Sequence, residues 1–151
     1  MPERETLRRA RMDAAEGKAP TTQAGEFVRE EIEHIRRGKH GARSTKQAIA
    51  IGLSKARRAG VKLPPPDPSK TSKSTRRKAQ RDTEASKHPG KPSPKRAHAT
   101  KAALKRESRQ AGSHRALSRQ AHSAASTRRR SVRSAAAKKA AKTRKSRRSS
   151  R

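Results

Sequence analysis

The sequence predicts an all-α fold: a small N-terminal helical hairpin of two to three helices, followed by a long, basic tail that is largely disordered or conditionally helical. Leu, Ile, Val and Phe number only 13 of 151 residues, and nine of these 13 lie in residues 27–63. Apolar residues recur at helical spacing in that region, and no stretch of alternating β-branched residues predicts a strand. Low apolar content combined with high net charge is typical of disorder beyond it.

Residues 1–19 contain a short charged helix, from about residue 3 to 16, and a linker. Leu7, Ala10 and Ala14 form a thin apolar stripe at helical spacing, and Gly17 suits the helix end. A stripe this thin in an isolated helix of about 14 residues gives marginal stability. The helix therefore needs a partner surface, or it forms only on binding.

A better-specified amphipathic helix follows, between a cap at Thr21 or Thr22 and a stop at Gly38. Its apolar face carries Ala24, Val28, Ile32 and Ile35, with Phe27 at the edge. The opposite face, which we expect to be exposed and without a cleft, carries Glu26, Glu30 and Glu33. The early carboxylates and late arginines match the helix dipole.

Local signals define a third helix between residues 44 and 60. Ser44 and Gln47 have the spacing of a capping box at its start. Gly60 suits a left-handed helix stop, with Val61 folding back on the last turn. Three prolines at residues 64–66 cannot continue the helix.

The second and third helices are expected to pack as an antiparallel hairpin over residues 20–63, where Ala48 and Gly52 permit close approach. Two short helices bury too little surface to fold firmly alone. Either the helix at residues 3–16 covers the open side, or two copies pair through residues 22–60. Ile51 lies outside the apolar arc and indicates a second packing surface, either for the helix at residues 3–16 or for another copy of the chain.

Residues 64–151 form a basic low-complexity tail with 28 Lys or Arg against four carboxylates, a net charge of +24. Helix signals recur within it, at residues 74–85, from Ser93-Pro94 to near Gly112, at residues 113–125 and from Ser134 onward. Adjacent cations oppose these helices in free solution. We expect phosphate neutralisation to favour them.

The formal charge of +31 makes a polyanion the expected partner. Specific single-strand binding relies on stacking aromatics, and Phe27 is the single aromatic residue, so duplex DNA is favoured over RNA. Contacts to phosphates are mostly independent of base sequence. The candidate nucleic-acid-binding residues are Arg57, Arg58, Arg76, Arg77, Lys78, Lys95, Arg96, Arg128, Arg129, Arg130, Lys138, Lys139, Lys142, Arg144, Lys145, Arg147 and Arg148.

Two finer readings of the basic residues stay open. Ser93-Pro94-Lys95-Arg96 has the form of a turn that inserts cations into an AT-rich minor groove, or it is a helix cap with incidental cations. The hairpin is either a helix-turn-helix with residues 45–59 as recognition helix, or a dimerisation or docking unit. The scarcity of base-reading side chains at the start of residues 45–59 favours the second interpretation.

Several functions are not expected from this sequence. No catalytic motif occurs, so we expect no enzyme, cofactor or small-molecule substrate. None of the six histidines forms an i,i+4 pair with another, and cysteine is absent, so we expect no metal site. No apolar run of about 20 residues predicts a membrane span, and the charged start predicts no signal peptide.

Residues 20–66, with TQAGEFVREEIEHIRRGKHGARSTKQAIAIGLSKARRAGVKLPPP at their centre, resemble a family of small basic bacterial proteins that is classed as a domain of unknown function. The segments RALSRQAHSAA and SAAAKKAAKTRK resemble tails of the same family. The resemblance brings no activity and no functional residues. The tail also resembles linker-histone and histone-like tails in composition, although its arginine content departs from theirs.

Together these features predict a non-enzymatic, nucleoid-associated or histone-like protein of the bacterial cytoplasm that binds duplex DNA largely independently of sequence. Two alternatives remain. One is a basic protein associated with structured RNA or the ribosome. The other is an adaptor whose hairpin binds another protein.

Overall fold

The computed structural model describes residues 2–69, 71–88, 90, 93–127, 132, 137–139 and 141. Within these residues every regular element is a helix and none is a strand, which confirms the predicted all-α fold class. The elements are α1 (Arg4–Ala15), α2 (Pro20–Arg36), α3 (Thr45–Arg58), α4 (Lys73–Lys87), α5 (Pro94–Lys105), a 3₁₀ turn (Arg109–Gly112) and α6 (His114–Ser126). The chain divides into two compact units, residues 1–116 and 117–151, of which the first holds the packed helices.

α2 and α3 form the predicted pair and approach closely at Gly52. A Cβ atom at this position would lie 2.6 Å from the Val28 Cα atom, so only glycine fits the contact. Ala48 is fully buried on the same side of α3. The prediction that these two small residues permit close approach is confirmed.

The ends of α3 follow the predicted local signals. The Ser44 hydroxyl accepts a hydrogen bond from the Gln47 amide at 3.2 Å, and the Gln47 side chain accepts one from the Arg43 amide at 2.8 Å. At the other end Gly60 has a φ of +94°, and the Val61 amide donates to the Ala56 carbonyl at 3.1 Å. This is the left-handed stop expected from a glycine at that position.

α2 starts earlier than predicted. Its first residue is Pro20, its N-cap is Ala19, and no side chain caps it, so the prediction of a cap at Thr21 or Thr22 is wrong. Proline has a φ angle already suited to a helix, and its missing N–H costs nothing in the first turn. It therefore extends the helix over the two threonines.

α1 packs on α2 and closes the core. The buried cluster contains Ala10, Ala24, Phe27, Ala56 and Val61, with Leu7, Leu53 and Leu63 packed against it. The single aromatic side chain, Phe27, belongs to this cluster and is 1% exposed. Of the two predicted ways to cover the hairpin, the structure contains the first, in which the N-terminal helix does so.

α4 packs on the outer side of α3, whereas the helix at residues 3–16 or another copy of the chain was predicted to pack at a second surface there. Asp82 accepts hydrogen bonds from the Ser54 hydroxyl at 2.6 Å and the Arg58 guanidinium at 2.8 Å. Ala79 is buried at the contact, and Ile51, one turn before Ser54, is half-buried. Part of the region predicted as a tail thus packs against the hairpin.

A second segment beyond the prolines returns to the hairpin. Residues 104–112 lie along the loop between α2 and α3, and they are held through their backbone carbonyls. The Gly41 amide donates to Leu104 at 2.9 Å, the Ala42 amide to Ser108 at 3.0 Å, and the Thr45 hydroxyl to Ala111 at 2.9 Å. Among the described helices, none is long and apolar enough for a bilayer crossing.

Candidate nucleic-acid interface

Positive and negative charge are distributed unevenly along the chain. Residues 1–37 contain eight Lys or Arg and eight carboxylates, so the whole net charge of +31 arises from residues 38–151. In the described residues, nine of the 12 carboxylates lie within 4.0 Å of a cation. The acidic residues are thus largely neutralised within the helical unit.

The ion pairs near α1 are strong enough to shift the titration of its carboxylates. Hydrogen bonds from Lys39 and His34 lower the pKa of Glu3 to about 2. Hydrogen bonds from Arg8 and Arg9 lower the pKa of Glu5 to about 2 as well. Both carboxylates stay ionised well below neutral pH and offset the arginines of α1.

Glu30 and Glu31 are buried, 6% and 1% exposed, although Glu30 was predicted on an exposed face without a cleft. That prediction is wrong because the loop after α2 and the start of α1 fold over this face. The Lys55 ammonium lies 2.7 Å from Glu31 Oε2 and 3.6 Å from Glu30 Oε1. The Glu3 amide donates to Glu30 Oε2 at 3.1 Å.

α4 presents a cationic outer face. Its inner side meets α3 through Ala79 and Asp82, which leaves the opposite side to solvent. Five exposed cations lie on this helix: Lys73, Arg77, Lys78, Arg81 and Lys87. Lys73, Arg77 and Arg81 follow one another at i,i+4 spacing, so their side chains line one stripe of the helix. We call these three residues the α4 stripe.

Residues 93–127 also carry exposed cations. No residue of α5 is buried, and α6 also has none. No carboxylate in the part of the chain that the structure describes lies within 4.0 Å of any cation here. These exposed cations are Lys95, Arg96, Lys101, Lys105, Arg106, Arg109, Arg115 and Arg119.

A basic cavity lies where residues 104–112 meet the α2–α3 loop. Its volume is about 540 Å³, and its cations are Lys39, Lys105 and Arg109, with Glu107 as the one carboxylate among its lining residues. The Gly38–Gly41 backbone forms the other wall. A phosphate group is small enough to enter a space of this size, and the surrounding charge is mainly positive.

The predicted binding residues occupy different environments. Arg77, Lys78, Lys95, Arg96, Lys138 and Lys139 are exposed. Arg57 and Arg76 are half-buried, and the buried Arg76 Nε has no hydrogen-bond partner. Arg58 pairs with Asp82, although 61% of its side chain is exposed. Eight predicted residues lie outside the described residues: Arg128, Arg129, Arg130, Lys142, Arg144, Lys145, Arg147 and Arg148.

Other exposed cations between residues 73 and 119 were not predicted, because most of them stand alone rather than in runs of adjacent charges. For two members of the α4 stripe, the helical spacing from Arg77 was an available signal. For Lys105 and Arg109 no local signal exists, because their position beside Lys39 depends on the return of residues 104–112 to the hairpin. The residues that were missed are Lys73, Arg81, Lys87, Lys101, Lys105, Arg106, Arg109, Arg115 and Arg119.

Part of the chain matches a known protein-family model. Residues 21–67 match a family model described as "Family of unknown function (DUF6496)". This agrees with the resemblance to an uncharacterised family found in the same residues. No curated protein and no solved structure matches the chain.

Proposed function

We propose that this protein binds duplex DNA through phosphate contacts, largely independently of base sequence, as a non-enzymatic, nucleoid-associated protein of the histone-like kind. The observation that carries the proposal is the division of charge. The first 37 residues are neutral overall, whereas α4, α5 and α6 carry exposed cations that form no ion pair with a carboxylate among the described residues. Solubility alone does not require charge of a single sign.

The exposed cations suit phosphate rather than base recognition. Lysine and arginine side chains on a helix surface reach backbone phosphates without a fixed register. The described residues offer no aromatic platform, because Phe27 is buried in the core. Stacking on single-stranded bases is the usual basis of sequence-specific RNA binding, and this chain lacks the side chains for it. Duplex DNA therefore fits better than single-stranded RNA.

The α4 stripe provides a direct test. In the variant Lys73→Gln/Arg77→Gln/Arg81→Gln we expect weaker binding to a fluorescently labelled duplex of about 25 base pairs, measured by anisotropy over a series of salt concentrations. For every phosphate that the variant no longer neutralises, the slope of log K against log salt should become shallower by about 0.9. Two duplexes of unrelated sequence should bind the wild-type protein with similar affinity.

The matched control removes the same charge from the neutral part of the chain. Arg4, Arg11 and Arg29 are exposed and form no ion pair in the described residues, so Arg4→Gln/Arg11→Gln/Arg29→Gln changes the net charge equally. We expect this variant to keep the wild-type salt slope. Equal weakening in both triple variants, or a flat salt response of the wild-type protein, would contradict the proposal. Preferential displacement by a folded RNA hairpin would instead favour structured RNA as the partner.

A further inference from the structure

Two histidines and a carboxylate meet at the end of α2. Glu31 and His34 lie on the helix, and His40 lies in the loop that follows it. One ligand atom from each of the three residues lies within 4.8 Å of the other two. Gly38, with a φ of +74°, reverses the chain after α2 and returns His40 to the helix. The spacing of the histidines along the chain does not reveal this cluster, because it depends on that reversal.

Glu31 brings an unsatisfied buried oxygen to the cluster. The residue is 1% exposed, and its Oε1 atom has no hydrogen-bond partner, whereas Oε2 binds Lys55. Oε1 lies 3.4 Å from His40 Nε2. A buried carboxylate oxygen without a partner is unfavourable unless a cation or a proton donor meets it.

The hydrogen bonds of His40 orient its other nitrogen toward the cluster. His40 Nδ1 lies 3.0 Å from the Gly41 carbonyl oxygen, which can only accept a hydrogen bond. Nδ1 therefore carries the hydrogen, and Nε2 of the neutral ring is a lone-pair donor that faces Glu31. A metal-binding histidine characteristically donates its second N–H to a carbonyl or carboxylate in this way.

The charge of the surroundings favours a cation. Glu30 and Glu31 are two buried carboxylates that share the single ammonium of Lys55. Glu30 Oε1 also has no hydrogen-bond partner and lies 3.9 Å from His34 Nε2, so it is a further oxygen donor beside the cluster. A second positive charge at this point would balance the pair.

We propose that Glu31, His34 and His40 form a binding site for a divalent transition-metal ion of the zinc type. Two imidazoles and a carboxylate are ligands that Zn²⁺ prefers, whereas Mg²⁺ and Ca²⁺ prefer oxygen ligands. Zinc–ligand bonds of about 2.0–2.1 Å give a tetrahedral edge of about 3.3 Å, close to the distance from Glu31 to His40. His34 Nε2 also lies 2.9 Å from Glu3 Oε1, a contact that zinc binding through this nitrogen would replace.

Bound zinc would join the last turns of α2 to the loop that holds residues 104–112. Gly41 and Ala42, which donate to Leu104 and Ser108, directly follow His40. Zinc would therefore stabilise the part of the fold that depends on contacts distant in sequence. Its role is structural and is separate from DNA binding by the α4 stripe.

Measuring zinc binding by the full chain tests the proposal. The protein is first treated with a chelator to remove bound metal, and the chelator is then removed. Isothermal titration with ZnCl₂ should give one ion per chain, MgCl₂ should give none, and Co²⁺ should produce the intense visible absorption of tetrahedral coordination. His40→Gln should weaken zinc binding about 100-fold or more, since it removes a ligand rather than an outer partner. His98→Gln, on exposed α5, is the matched control and should bind as the wild type does.

Absence of zinc binding by the wild-type protein, or equal weakening by His98→Gln, would overturn the proposal. Circular dichroism shows whether His40→Gln retains its helices. If it loses them, the Co²⁺ spectrum of the wild-type protein tests the proposal instead. A spectrum typical of octahedral Co²⁺, or no Co²⁺ absorption at all, would contradict the site. A rise in thermal midpoint with ZnCl₂ that His34→Gln abolishes gives independent support.

Discussion

Individual side chains in this protein neutralise one another's charge locally. Glu3 is the clearest case, because it joins three elements. Its carboxylate lies 2.8 Å from Lys39 and 2.9 Å from His34, and its backbone amide donates to Glu30. A residue ahead of the first turn of α1 thus binds the end of α2 and the following loop, which fixes the start of α1 on the hairpin.

Acid should release this contact. The folded-state pKa of Glu3 is about 2, below the ordinary value of 4.5, so its contribution to stability is complete above about pH 4.5 and is lost as the pH falls toward 2. We expect Glu3→Gln to lower the thermal midpoint at pH 6 and to make the fall between pH 5 and 2 shallower.

Thermal unfolding followed by circular dichroism at several pH values measures this effect. Glu84→Gln is the control, because Glu84 is exposed on α4 and forms no ion pair among the described residues. Its curve should run parallel to that of the wild type. If the plot of thermal midpoint against pH for Glu3→Gln is also parallel to that of the wild type, the Glu3 contacts do not contribute to acid sensitivity, whether or not all midpoints are lower.

At the scale of helices, close packing depends on glycine at one position and not at another. Gly52 faces the α2 backbone, whereas a Cβ atom added at Gly25 of α2 would have no atom within 4 Å. We expect Gly52→Ala to separate α2 from α3 and to lower the free energy of unfolding by about 1–3 kcal/mol. Gly25→Ala should instead raise it by about 0.5–1 kcal/mol, because alanine favours the helix.

Urea denaturation of the two variants distinguishes packing from helix propensity. The substitutions are chemically identical and both lie inside helices, so propensity alone would change stability in the same direction in each. Opposite signs are the expected result. Stabilisation by both substitutions would mean that α2 and α3 adjust to the added methyl group at no cost in packing.

The docking of residues 104–112 gives a second prediction for an element. A Cβ atom at Gly41 would overlap the Glu107 carbonyl oxygen at 1.9 Å, so Gly41→Ala should displace this segment. The Ala42 amide, which donates to Ser108, should then exchange its hydrogen with solvent much faster. Hydrogen-exchange mass spectrometry of the α2–α3 loop measures the change.

Gly90→Ala is the control for that experiment, because no atom lies within 4 Å of a Cβ at this position. It should leave exchange in the loop unchanged. Unaltered protection of Ala42 in Gly41→Ala would show that the segment shifts without leaving the loop.

The boundaries of α3, which local chemistry governs, could be predicted, whereas the burial of Glu30 and the docking of residues 104–112 could not. The hydroxyl of Ser44 and the left-handed Gly60 act within a turn of their own positions, so their spacing is sufficient to identify them. The burial of Glu30 depends on Glu3 and Lys55, which are far from it in sequence. Residues 104–112 dock through backbone carbonyls, which every sequence possesses, so no side-chain pattern indicates their position.

Over the whole molecule, the described contacts that join the packed helices all lie within residues 3–112, whereas the charge is spread to the end of the chain. Residues 114–151 contain 14 Lys or Arg and no carboxylate, so a chain ending at residue 113 keeps a net charge of +17. Repulsion among like charges destabilises a compact state, and salt screens it. The packed helices and most of the net charge therefore lie in largely different parts of the sequence.

Truncation after residue 113 should separate these two properties. At low salt we expect the shortened protein to melt at the same temperature as the full chain or higher, and the difference should vanish at about 1 M salt, where charges are screened within about 3 Å. Its affinity for duplex DNA should fall, with a smaller salt slope because fewer phosphates are contacted. Scanning calorimetry and the anisotropy titration measure the two effects.

Two outcomes would contradict this separation. A lower melting temperature that persists at high salt would show that residues 114–151 stabilise the helices by packing. An unchanged salt slope would confine the DNA contacts to residues 1–113.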